Sequence, residues 1–84
     1  MFEINIVNNF QVETYLLKNE KAKNKFLMEY FTNGAGQFYG KEWYLEYCNT
    51  YPKKPLTFKK FILNKVKDLK SIRLRNYLIL IRNK

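Results

Sequence analysis

Residues 57–84 read TFKKFILNKVKDLKSIRLRNYLILIRNK, and a change of period inside this stretch decides the fold. Phe58, Phe61, Ile62, Val66 and Leu69 recur at helical spacing and share one face. Thr57 is placed to cap that helix. Lys60, Asn64 and Lys67 fall on the opposite face, flanked by Lys59 and Lys70. After Ser71 the period drops to two. Ile72-Arg73-Leu74-Arg75 alternates, and Tyr77 to Ile81 is β-branched and aromatic enough for a strand. Arg75-Asn76 is a candidate two-residue hairpin turn, with Asn supplying a positive φ. The competing reading is one strand over 71–82.

Working back towards the N-terminus, Pro52 and Pro55 break any helix, so residues 49–55 read as a turn. A helix is expected over about 38–49, with Phe38, Leu45 and Cys48 at near-helical spacing and Tyr44, Tyr47 and Tyr51 beside them. Residues 33–37 form a loop. Gly34 is the helix stop before it, in the left-handed conformation. Phe2, Ile4 and Ile6 alternate with Glu3 and Asn5, which predicts a short first strand. Asn8 and Asn9 then read as caps for a helical stretch reaching residue 32, as one helix or as two meeting near Asn19.

The 84 residues carry 16 Lys+Arg against 7 Asp+Glu, a formal charge of +9. That length admits a single domain, 1–84, with an N-terminal part over 1–33 and a basic part over 38–84. The charge is concentrated. Residues 1–52 hold five lysines and six glutamates; residues 53–84 hold eleven lysines and arginines against Asp68 alone. A basic surface of this kind is the electrostatic footprint of a polyanion binder. The alternative is a solvated surface on a lysine-rich chain, since the Lys, Asn, Tyr and Ile usage suggests an AT-rich genome. That bias would enrich lysine throughout, and the enrichment is one-sided.

Composition also excludes chemistry. There is no histidine and one cysteine, so histidine-based triads, Cys/His zinc sites and disulfide scaffolds fall away. Cys48 points to a reducing compartment or to simple burial. Gly34-x-Gly36-x-x-x-Gly40 lacks both dinucleotide spacing and a following Gly-Lys-Ser/Thr, so it reads as a helix stop and connector. Glu42 and Glu46, one helical turn apart, read as a solvated face. Tyr39, Trp43, Tyr44, Tyr47 and Tyr51 could stack bases, although a core this small claims at least half of them. The longest apolar run, Tyr77 to Ile81, is far short of the ~20 residues that span a bilayer. The N-terminus lacks a signal-peptide pattern. Expected cofactors, metals and catalytic residues are none, and the expected location is the cytoplasm of a prokaryote or phage-infected cell.

Phe38-Tyr39, Tyr44, Tyr47-Cys48, Lys54-Pro55-Leu56-Thr57 and Lys59-Lys60-Phe61 together resemble the C-terminal segment of phage/plasmid- and poxvirus-type primase–helicases. The resemblance covers about residues 38–70. It implies a winged-helix-like DNA-binding appendage with the Thr57-capped helix as recognition helix. No ATPase or primase body accompanies it, so no enzymatic activity carries over.

The expected architecture is therefore α+β and winged-helix-like, with three or four helices and a short antiparallel sheet made of the N-terminal strand and the C-terminal hairpin. The expected function is non-catalytic nucleic-acid binding, DNA ahead of RNA. Lys59, Lys60, Lys67, Lys70, Arg73 and Arg75 are the expected phosphate contacts, Lys53 and Lys54 join the nucleic-acid-binding set as the lead-in to the helix, and Asn64 is the base reader. The rival is a small phage-type protein that binds and modulates a host protein or nucleoprotein complex. A subunit of a large ribonucleoprotein is a third reading, disfavoured by the low arginine and glycine content.

Overall fold

The computed structural model describes residues 1–84. Seven elements follow in order: β1 (Phe2–Asn8), β2 (Gln11–Leu17), α1 (Glu20–Thr32), α2 (Gln37–Thr50), α3 (Phe58–Lys67), β3 (Ser71–Leu74) and β4 (Tyr77–Asn83). The protein is α+β, with three helices and one four-stranded antiparallel sheet in the order β2-β1-β4-β3. Its residues group into two compact units, one of 1–23 with 68–84 and one of 24–67.

The first unit holds the sheet. Ile4 pairs with Ile81 and Ile6 with Ile79, which in turn faces Ile72. Directly paired residues share a face, so one face collects Ile4, Ile6, Ile72, Leu74, Ile79 and Ile81. Ile4, Ile6, Leu74 and Ile79 on this face are buried. The opposite face carries a polar chain. Thr14 Oγ1 donates to Asn5 Oδ1 at 2.8 Å, and Asn5 Nδ2 donates to Glu3 Oε2 at 3.1 Å. Lys84 Nζ lies 2.7 Å from Glu3 Oε1. The Lys84 ammonium first, and the Asn5 amide second, hold the Glu3 carboxyl below its ordinary pKa.

The expected helix over 9–32 fails in its first half. Gln11–Leu17 is a strand, joined to β1 by the two-residue turn Asn9-Phe10, with Asn9 at φ 57°. Val12, Thr14 and Tyr15 favour a strand locally. Asn tolerates the left-handed turn, which the helix-cap reading of Asn8-Asn9 overlooked. Asn19 is the true start of α1: its Oδ1 accepts the Ala22 N–H at 2.9 Å. Within α1, Lys23 is 3% exposed, its ammonium 5.6 Å from the centre of the Phe2 ring.

The second unit holds the rest of α1 with α2 and α3. The helix stop falls where expected, but not by the expected route. No glycine has a positive φ. Instead the N–H groups of Asn33 and Gly34 both donate to the Glu29 carbonyl, at 2.9 and 2.8 Å, and Gly36 donates to that of Tyr30 at 3.0 Å. A Cβ at Gly40 would run into the Phe31 carbonyl oxygen, so glycine is what lets α2 approach the end of α1. Phe31 and Trp43 meet there with ring centroids 4.9 Å apart. Gly40→Ala gains up to ~1 kcal/mol of helix propensity. The clash is with backbone, which cannot swing aside, so a net loss of roughly 1–3 kcal/mol is expected, read as a lower denaturation midpoint.

The half-buried face of α2 also departs from the expected one. Phe38 is 55% exposed and Leu45 63%. Trp43, Tyr44, Tyr47 and Cys48 are half-buried instead. Of the five aromatics Tyr39, Trp43, Tyr44, Tyr47 and Tyr51, none is fully buried: four are half-buried and Tyr51 is exposed. No helix is long and apolar enough to cross a membrane.

Candidate nucleic-acid interface

Two groups of cations stand out, one in each unit. In the second unit, α3 is fixed along one face by Phe61, Ile62 and Val66, all buried; Phe58 is only half-buried, and Leu69 of the expected stripe lies past the end of the helix, in the first unit. The cap is as expected: Thr57 Oγ1 accepts the Lys60 N–H at 3.4 Å, and the Thr57 carbonyl accepts the Phe61 N–H at 2.9 Å.

Two tyrosines hold the approach to α3. Tyr44 Oη donates to the Leu56 carbonyl at 2.8 Å, and the Leu56 N–H donates to Tyr47 Oη at 2.9 Å. Their rings also meet Phe61, with centroids 5.7 Å away for Tyr44 and 4.6 Å for Tyr47. The Cys48 thiol beside Tyr44, and then partial burial, push its phenol above the ordinary pKa. Tyr44 and Tyr47 are thus engaged in orienting the link from α2 to α3 rather than open for base stacking. Sequence offered the residues but not this role, because a tyrosine hydroxyl that reaches a backbone nine or twelve residues away leaves no local pattern.

With one face buried, α3 turns Lys59, Lys60, Asn64 and Lys67 outward, all exposed. No carboxylate pairs with the three lysines. Lys53 and Lys54 are exposed on the 51–57 link, Lys54 with φ 51°. Lys65 lies elsewhere on the helix, its ammonium 5.6 Å from the centre of the Phe61 ring. It borders a shallow groove whose other walls include Trp43, Tyr47 and Tyr51.

In the first unit, the cations gather at the β3–β4 hairpin. Lys70 precedes β3, where its carbonyl accepts the Ile81 N–H at 2.8 Å. Arg73 lies in β3. Arg75 lies outside that strand: β3 ends at Leu74, and Arg75 is the first residue of the expected two-residue Arg75-Asn76 turn. It, and not Asn76, takes the positive φ, 47°. The two arginines still line one open groove of about 370 Å³, together with Asn9, Asn76 and Tyr77.

Asn8 pairs with both Gln11 and Tyr77, so the turns Asn9-Phe10 and Arg75-Asn76 lie side by side at one end of the sheet. This places Phe10, which follows the Asn8-Asn9 caps of the helical reading, fully exposed at a turn tip beside Asn9 of the arginine groove. Nothing in the local sequence distinguishes a turn-tip Phe from a core Phe once the strand after it is missed.

No group of acidic, histidine or cysteine side chains is arranged to hold a metal ion. Glu42 and Glu46 are exposed on α2. The chain matches no protein-family model, no curated protein and no solved structure.

Proposed function

We propose that this protein binds nucleic acid, DNA ahead of RNA, without catalysis, in the reducing cytoplasm of a prokaryote or phage-infected cell. One observation carries the reading: Lys60, Asn64 and Lys67 stand exposed on one face of a helix whose other face is buried, and neither lysine has a carboxylate partner. A cationic helix face without counter-charges releases condensed counterions when it meets phosphates, which drives binding. Lys59 adds to it, and Lys53 and Lys54 lead in to the helix from the same unit. Lys70, Arg73 and Arg75 form a second set of phosphate contacts on the hairpin, where arginine's planar fork suits phosphate oxygens.

The order of α2, a short link, α3 and a two-stranded hairpin supports a winged-helix-like reading, with α3 as recognition helix and β3–β4 as wing. Asn64 is the residue on α3 suited to pair with adenine. The experiment is a titration with duplex DNA, single-stranded DNA and RNA of one length across a salt series. A steep salt dependence supports the reading; binding that ignores salt overturns it. A protein partner is the second reading. Phe38 and Leu45 favour it, because they lie seven residues apart on α2 and are both exposed.

A further inference from the structure

We infer that β2 is a self-association edge, at which two copies of this chain pair antiparallel about Thr14 to form one continuous eight-stranded sheet. β2 is an outer strand of the sheet and pairs only with β1, over seven residues in unbroken register. Every residue from Gln11 to Leu16 is exposed. Natural edges are guarded by lysine, proline, a bulge or shortness. The strand QVETYLL has none of these; its one guarding charge is Glu13, opposite Ile6 in the register, which pairing about Thr14 sets against Tyr15.

The outward backbone groups follow from the hairpin. In a two-residue hairpin the closing pair, here Asn8 and Gln11, exchanges both hydrogen bonds, and such pairs recur every second residue. Glu13 and Tyr15 therefore bond to β1, while the N–H and C=O groups of Val12, Thr14 and Leu16 face outward. The same alternation in β4 is seen directly, where the Ile81 N–H turns towards the β3 side to reach Lys70.

A two-fold axis through Thr14 uses all of these outward groups. Thr14 faces Thr14 of the second copy, and Val12 faces Leu16. The side chains then match as well. Apolar meets apolar at Val12 and Leu16, which are 60% and 61% exposed in the single chain. Glu13 faces Tyr15 of the other copy, an acceptor opposite a hydroxyl, and within one chain Tyr15 Oη already donates to Glu13 Oε2 at 2.9 Å. Moving the axis to Glu13 would set the two glutamates face to face, and moving it to Tyr15 would set Glu13 against Leu17. Among the three central registers only the one about Thr14 is self-complementary along the whole strand, which is why the occupant is a second copy and not an unrelated extended peptide. β2 carries a single charge, Glu13, so the +9 of each copy opposes pairing only at long range, and salt screens that repulsion.

The test uses the full chain without nucleic acid, so it stands or falls apart from the DNA reading. Sedimentation of the wild type is expected to show a dimer whose fraction grows with concentration and with salt, and Leu16→Lys is expected to remain monomeric with an unchanged circular dichroism spectrum. In a Cys48→Ser background, Thr14→Cys is expected to form a disulfide-linked dimer on mild oxidation, because facing bonded residues lie about 5.5 Å apart, within disulfide reach. Gln11→Cys is expected not to, since the two Gln11 positions would lie roughly 20 Å apart at about 3.4 Å per residue. A wild type that stays monomeric to sub-millimolar concentration overturns the proposal. So does equal cross-linking of the two cysteine variants. If Thr14→Cys does not fold, the comparison of wild type with Leu16→Lys decides.

Discussion

Raising salt from about 50 to about 200 mM is expected to weaken duplex binding about a thousandfold. Six cations are assigned to phosphates: Lys59, Lys60, Lys67, Lys70, Arg73 and Arg75. At about −0.9 per phosphate neutralised, log affinity falls against log salt with a slope near −5. Lys60→Ala combined with Lys67→Ala is expected to reduce that slope by about two and to weaken all sequences alike. Both side chains are exposed and neither joins the core, so the fold stays intact. Asn64→Ala is expected to change the preference among sequences and leave the slope in place, because an amide neutralises no phosphate. The matched control is Lys18→Ala with Lys21→Ala, both exposed in the near-neutral half. Lys23 is unsuitable, since it is buried and its removal would disturb packing on Phe2. Equal losses from the two lysine pairs would mean that binding follows total charge, and the recognition-helix assignment would fall.

Phe61→Ala is expected to cost roughly 3–5 kcal/mol. The ring is 6% exposed and sits against Tyr44, Tyr47 and the Lys65 ammonium, so its removal empties a site with four participants. For a chain of 84 residues the total stability is about 4–13 kcal/mol at typical per-residue values. The substitution therefore takes a large share of it, and a broadened or absent thermal transition is the expected readout. Leu45→Ala is the control. Leu45 is a large apolar residue on the neighbouring helix but mostly exposed, and its loss should change stability by no more than about 0.5 kcal/mol. A small effect at Phe61 would show that α3 is not held by its apolar face.

The parts of the fold legible in the sequence are those where burial differs sharply between faces. In α3, buried Phe61, Ile62 and Val66 alternate at helical spacing with exposed Lys60, Asn64 and Lys67, so period and charge agree. β4 is legible because its apolar residues are crowded and β-branched. β2 is not, because it is exposed on both faces and no core dictates an alternation. The turn before it rests on one Asn in a left-handed conformation, and Asn serves helix caps equally well. On α2 the apolar and aromatic residues surround the helix, so the pattern could not say that Trp43, Tyr44, Tyr47 and Cys48 turn inward while Phe38 and Leu45 turn outward. The cations of the candidate site were all legible. Their division between a helix face in one unit and a hairpin in the other was not, since charge carries no period of its own.

Three residues without glycine's freedom take a positive φ: Asn9, Lys54 and Arg75. For a side chain with a Cβ this conformation costs roughly 1–2 kcal/mol, least for Asn. Two of the three carry a positive charge. Arg75→Gly is therefore expected to raise the melting temperature while lowering the DNA salt slope by about one. On the proposed reading, folding and binding ask for different residues at that turn. A library of variants sorted by heat resistance alone would drift towards glycine at 54 and 75, and each step in that direction would yield a tougher protein that holds its polyanion less tightly.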